Sequence, residues 1–136
     1  MHPVAAPLED PSTTIAVVGA TDSPGKYGGI IYRRMKALGY RVYPVNPRRS
    51  TVAGDRAYPD LASLPQPPGI VNFVVPPDVA ESVAREAIDL GYTNLWFQPG
   101  SERPGLEERL EPLGASVLTD ACIMVVGATI NRSSVP

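Results

Sequence analysis

Thr13 to Gly29 reads T-T-I-A-V-V-G-A-T-D-S-P-G-K-Y-G-G, an apolar, β-branched run that passes into a turn holding four glycines and a lysine. The chemistry this suits is anion binding. Gly19 permits a sharp turn, and Gly25, Gly28 and Gly29 let backbone N–H groups come close to a phosphate at the N-terminus of the helix that follows. Lys26 puts a formal positive charge at the same place, beside Ala20, Thr21 and Tyr27. The spacing departs from a strict G-x-G-x-x-G, because Gly25 stands six positions after Gly19 rather than two.

A second group of candidate ligand residues closes the next strand, where Asn46-Pro47-Arg48-Arg49 follows V-Y-P-V. Enzymes that use an unphosphorylated nicotinamide dinucleotide place an Asp or Glu there for the ribose hydroxyls. A neutral residue with two guanidinium groups suits a phosphorylated ribose instead, since arginine grips phosphate with two N–H groups and a carboxylate would repel it. Two common cofactors meet that demand, the phosphorylated nicotinamide dinucleotide and coenzyme A, and spacing does not choose between them. The plainer alternative is a solvated basic loop.

Groups for covalent or acid–base catalysis are sparse. The single histidine, His2, lies in the first residues, so no Ser/His/Asp arrangement can be assembled, and the aspartates are dispersed in turns and caps. No metal site is expected. The single cysteine, Cys122, excludes an intramolecular disulfide. It is read as a small packed hydrophobe or as a thiol facing the ligand crevice.

These residues need a scaffold of alternating strands and helices. Thr14–Val18 reads as a strand, Gly28–Leu38 as a helix with Ile31, Met35 and Leu38 on one face, and residues 41–45 as a strand. Residues 47–69 form a proline-rich crossing with one helical turn near 60–64, before a strand at 70–75. Asp78 and Glu81 resemble a capping box for a helix burying Val79, Val83, Ala87 and Leu90; a strand at 94–97, a short helix at 106–113 and a strand at 115–118 follow. Leu38-Gly39-Tyr40, Leu90-Gly91-Tyr92 and Leu113-Gly114 repeat as helix ends, each leading to a strand that closes on a polar residue, Asn46, Gln98 or Asp120. The expectation is an α/β, Rossmann-like, doubly wound parallel sheet of about five strands in three α/β/α layers, in strand order 3-2-1-4-5. The strand ends would line one crevice, at Gly19, Asn46, Val75-Pro76, Gln98 and Asp120.

With 136 residues, one domain is expected: a flexible arm at residues 1–12, the nucleotide-binding domain at 13–126 and a tail at 127–136. A net charge of −2 removes the basic footprint of nucleic-acid binding. No stretch approaches the roughly 18 to 20 apolar residues of a membrane span, and no secretory signal opens the chain, so a cytoplasmic location is expected.

The motifs I-A-V-V-G-A, S-P-G-K-Y-G-G, G-Y-R-V-Y-P-V-N-P, A-Y-P-D-L-A-S-L-P, V-V-P-P, W-F-Q-P-G and D-A-C-I-M follow one another from Thr13 to Met124. In this order they resemble the small stand-alone CoA-binding domain proteins, which are similar to the nucleotide-binding domain of the succinyl-CoA synthetase α subunit. That resemblance implies Gly19, Ala20, Thr21 and Lys26 at the pyrophosphate, and Asn46, Pro47 and Arg48 at the ribose phosphate and adenine. It also implies Val75 and Pro76 on the adenosine or pantetheine side, with Gln98 and Gly100 along the pantetheine path. Lys26 stands where many members carry arginine, and Gly28-Gly29 replaces bulkier residues.

The synthetase relays phosphate through a histidine of another domain, which nothing here supplies. The leading expectation is therefore a non-catalytic binder of CoA or acyl-CoA, acting as carrier, sensor or detached subunit. Its expected partner is a small-molecule CoA ligand, with a second copy or a partner subunit left open. An oxidoreductase using a phosphorylated nicotinamide cofactor is the alternative. Behind it stands an interaction protein with a vestigial pocket that docks a partner through its proline-rich arm or Ile123–Ile130.

Overall fold

A computed structural model describes the backbone of residues 1–134 and the side chains of residues 1–130. β1 (Thr14–Val18) is buried along its whole length, as an apolar strand must be when helices cover both faces of the sheet. α1 (Tyr27–Ala37) leaves the glycine-rich turn with Ile31, Tyr32 and Met35 buried, and ends where Gly39 takes φ +99°. β2 (Arg41–Val45) follows. The crossing after it carries a small antiparallel hairpin, β3 (Thr51–Val52) and β4 (Asp55–Arg56), and a 3-10 turn at Leu61–Ser63 capped by Asp60, whose carboxylate accepts from Ser63 N–H at 2.9 Å. β5 (Ile70–Phe73), α2 (Pro77–Asp89), β6 (Asn94–Phe97), α3 (Leu106–Leu110), β7 (Ser116–Leu118) and α4 (Ile123–Ser134) complete the alternation.

The five main strands are all parallel, in the order β2-β1-β5-β6-β7. Alternate residues feed two cores. Ile15, Val17, Ile70 and Trp96 pack with Ile31 and Met35 of α1 and Ile123 of α4, while Ala16, Val18, Phe73 and Phe97 pack with Ala80, Ala84 and Ala87 of α2 and with α3. This is the expected three-layer, Rossmann-like α/β fold.

The strand order differs from expectation. In 3-2-1-4-5 the second strand would be interior, between the third and the first, but here β2 is the edge and the third main strand, β5, lies on the other side of β1. Pro44 gives the physical reason: it has no N–H for an interior ladder, and on the edge its carbonyl simply accepts from Tyr58 N–H at 2.9 Å. The chain reverses direction across the sheet between β1 and β5, and in such sheets ligands bind at that switch point.

The expected flexible arm is packed instead: Val4, Ala5 and Leu8 are buried in the first core, and Tyr40 Oη donates to the Leu8 carbonyl at 2.5 Å. The boundary expected at residue 126 falls inside α4; residues 135 and 136 of the expected tail lie outside the described residues. Ile123 closes the first core and Met124, Val126 and Ile130 pack against it, so this apolar segment is covered largely by its own domain. The buried stripe of α2 is Ala80, Ala84 and Ala87; Val79 and Leu90 are exposed, because small residues let the helix lie close to the sheet. Asp78 and Glu81 form no capping box. No side chain caps α2, and Glu81 faces three arginines instead.

Candidate ligand-binding site

The carboxyl ends of the parallel strands open onto loops that backbone bonds hold together. Gly19 N–H donates to the Val45 carbonyl at 2.9 Å, Val74 N–H to Val18 at 2.9 Å and Gln98 N–H to Phe73 at 3.0 Å. The loop after β1 passes so close to its neighbours that only glycine fits. A Cβ on Gly19, which has φ +101°, would lie 2.3 Å from the Val74 carbonyl oxygen. On Gly28 it would lie 2.0 Å from the Gly19 carbonyl oxygen, and on Gly29 2.2 Å from that of Thr21. α1 therefore starts directly against the strand-end loop. No side chain caps it and no acidic residue stands in its first turn, so its first N–H groups and positive dipole end suit an anion.

Lys26 and Arg48 are exposed, and neither side chain has a hydrogen-bond or ion-pair partner among the described residues. The arginine pair is divided. Arg49 donates from Nη2 to Ser23 Oγ at 2.9 Å and approaches Asp22 at 4.0 Å, so it braces the glycine-rich loop. Asp22 also pairs with Arg33 at 2.9 Å and accepts from Ala53 N–H at 2.9 Å, tying the β3–β4 hairpin to that loop. Asn46 is occupied as well: Nδ2 donates to the Ala20 carbonyl at 3.0 Å while Oδ1 accepts from Arg48 N–H at 2.9 Å. Its side chain sets the loop geometry. Pro47 beside it is exposed.

A cleft of about 580 Å³ opens beside this anion-ready loop. Val74, Val75 and Pro76 line it from the end of β5, Gln98, Pro99, Gly100 and Ser101 from the end of β6, with Tyr27 and Cys122 completing it. Five of the expected ligand residues, Tyr27, Val75, Pro76, Gln98 and Gly100, thus share one lining. Gly19 abuts it through Val74 and Val75. Ala20, Thr21, Lys26, Asn46, Pro47 and Arg48 belong to the adjoining loops after β1 and β2 and do not line the cleft itself. Asp120 stays outside the lining, exposed at φ +61°.

Gln98 is buried and works as a brace: Oε1 accepts from Ile123 N–H at 2.8 Å and from Asn72 Nδ2 at 3.2 Å, and Nε2 donates to Cys122 Sγ at 3.3 Å. It thereby fixes the start of α4 to the sheet. Pro99 and Ser101 were not legible as lining residues, since their place follows from the loop's path after β6 rather than from any spacing. Beyond that loop, Glu81 of α2 is 8% exposed and receives Arg109 at 2.9 and 2.8 Å, Arg85 at 3.4 Å and Arg103 at 3.5 Å. Arg109, followed by Arg85 and Arg103, pulls its carboxyl down to about 2 against the opposing effect of burial.

Comparison with known proteins agrees with this architecture. Residues 13–128 match the CoA binding domain family. An uncharacterized Bacillus subtilis protein, YneT, is 31% identical over 117 residues, covering 86% of this chain and 87% of that protein. The α subunit of acetate–CoA ligase (ADP-forming) II from Pyrococcus furiosus is 33% identical over 131 residues, which cover 88% of this chain but only 29% of the ligase subunit. A conserved hypothetical protein from Pyrococcus furiosus superposes with a TM-score of 0.79 at 41% identity, over 83% of this chain and 97% of that one. On the family match, the similarity to YneT and the shared fold together, this chain belongs to the CoA-binding domain family.

Proposed function

We propose that this chain binds CoA or an acyl-CoA without transforming it, as a carrier, a sensor or a detached subunit. The observation that carries the reading is an apolar cleft of about 580 Å³ that reaches Tyr27 at the uncapped, glycine-lined N-terminus of α1, with two unpaired cations, Lys26 and Arg48, on the adjoining loops. CoA has the matching division, with an uncharged pantetheine arm and phosphates on the pyrophosphate and ribose. The pantetheine or acyl part would lie between Val75-Pro76 and Gln98-Gly100, with Tyr27, 68% exposed, at the mouth. The pyrophosphate would meet Gly19, Ala20, Thr21 and Lys26, and the ribose phosphate would meet Arg48 beside Asn46 and Pro47. The ADP-forming ligase relative supports a CoA-related role, although this chain spans less than a third of it.

Isothermal titration with CoA, dephospho-CoA and the phosphorylated nicotinamide dinucleotide tests the reading. The expected result is micromolar or tighter binding of CoA, weakened when the ribose phosphate is absent. A preference for the nicotinamide cofactor would replace this reading with a reductase, and no binding of any of the three would leave an interaction role.

A further inference from the structure

The two apolar walls of the cleft belong to different elements. Val75 and Pro76 run straight into α2, whereas Pro99, Gly100 and Ser101 begin the loop that leads from β6 to α3. One carboxylate joins them. Glu81, on α2, accepts from Arg109 of α3 in a two-pronged contact at 2.9 and 2.8 Å, and from Arg103 of the loop itself at 3.5 Å. Arg109 also donates from Nη1 to the Pro104 carbonyl at 3.0 Å, so the same guanidinium holds the loop backbone. Gly105 makes room for it: a Cβ there would lie 2.7 Å from Arg109 Nη1. At the near end, Ser101 N–H donates to the Gln98 carbonyl at 2.9 Å, which leaves the span from Pro99 to Gly105 tied at both ends. A largely buried carboxylate is costly unless paired, and Glu81 is paired across the two elements that shape the cleft.

We propose that Glu81 is a positioning residue for the ligand: through Arg103 and Arg109 it fixes the separation of the cleft's two walls and so selects for the pantetheine or acyl part of the bound molecule. The inference rests on the CoA reading above. Lys26 and Arg48 lie on other loops and share no hydrogen bond or ion pair with the Glu81 cluster among the described residues, so the clasp acts on the uncharged arm of the ligand and leaves the phosphate contacts alone.

Titration calorimetry on the wild type, Glu81→Gln and Arg103→Ala, with CoA and with adenosine bisphosphate as its nucleotide half, separates the possibilities. Glu81→Gln is expected to lose about tenfold in CoA affinity and less than about twofold for the nucleotide half. Arg103→Ala, which removes only the longer, more exposed contact, should show the same split at smaller size in a protein whose melting temperature is close to that of the wild type. Unchanged CoA affinity in both variants, or equal losses for both ligands, would overturn the clasp. Failure of the wild type to bind CoA is a different result, visible before any variant is compared, and removes the CoA reading together with this inference.

Discussion

Gly28 has no room for a side chain, since a Cβ there would sit 2.0 Å from the Gly19 carbonyl oxygen, which is backbone and cannot swing away. Gly28→Ala must therefore push α1 off the strand-end loop. Overpacking of this kind costs about 1 to 3 kcal/mol, to be measured by urea denaturation. A change within about 0.5 kcal/mol would mean that the helix slides freely on the loop. The charged residues give a second test at this scale. Lys26→Ala should weaken CoA and dephospho-CoA alike, because its proposed partner is the pyrophosphate, while Arg48→Ala should weaken CoA more than dephospho-CoA. Charge-assisted contacts of this type correspond to losses of about ten- to a hundredfold in calorimetric affinity. Equal losses from Arg48→Ala would remove its assignment to the ribose phosphate. The sequence offered the pair Arg48-Arg49 to a phosphorylated ribose and the resemblance assigned Arg48 alone; Arg49 bonds Ser23 and approaches Asp22 instead. A partner 26 positions away leaves no trace in local spacing.

Between elements, much was legible because it is local. The β-branched run of β1 and the helix-ending glycines, with φ of +99° at Gly39, +85° at Gly91 and +102° at Gly114, announce themselves by residue type. The crevice at the strand ends followed from the alternation of strands and helices. Strand order was not read correctly, although Pro44 within R-V-Y-P-V carries the signal of an edge strand. The role of Glu81 was beyond reach, since only Arg85 stands one helical turn away, while Arg103 and Arg109 come from the loop after β6 and from α3. That cluster makes a pH prediction. In the folded protein Arg109 first, then Arg85 and Arg103, hold the Glu81 carboxyl at about 2, below its ordinary 4.5. A depressed carboxylate contributes its full stability above the unfolded value and loses it as pH falls through the folded one. The wild type should therefore lose stability between pH 4.5 and 2 more steeply than Glu81→Gln. Denaturant midpoints across that window check this, and parallel curves would show that the carboxylate is not coupled to folding.

The whole molecule joins two ends with separate duties. The carboxyl ends of the strands carry the cleft, while the first residues close the core beside the start of β1, where Thr13 Oγ1 donates to the Pro7 carbonyl at 2.5 Å and Tyr40 Oη to that of Leu8. Composition hid this, because three prolines and few apolar residues in residues 1–12 resemble a loose arm. What decides it is that Val4 and Leu8 are almost completely buried. Full burial of such side chains stabilises by about 1.5 to 3 kcal/mol each, and the conformational entropy of ordering the segment offsets part of it. Removing residues 1–10 should therefore cost about 2 to 4 kcal/mol net. In a domain of this size that lowers the melting temperature by roughly 10 °C. Because the cleft is lined from the opposite ends of the strands, the truncated protein, where folded, should keep its CoA affinity within about twofold, a difference of under roughly 0.5 kcal/mol. Calorimetric melting and ligand titration on the same truncated protein decide the matter. An unchanged melting temperature would mean that the segment adds no net stability, and a large affinity loss at a temperature where the protein is fully folded would mean that the core beneath α1 and α4 transmits strain from one end of the sheet to the other.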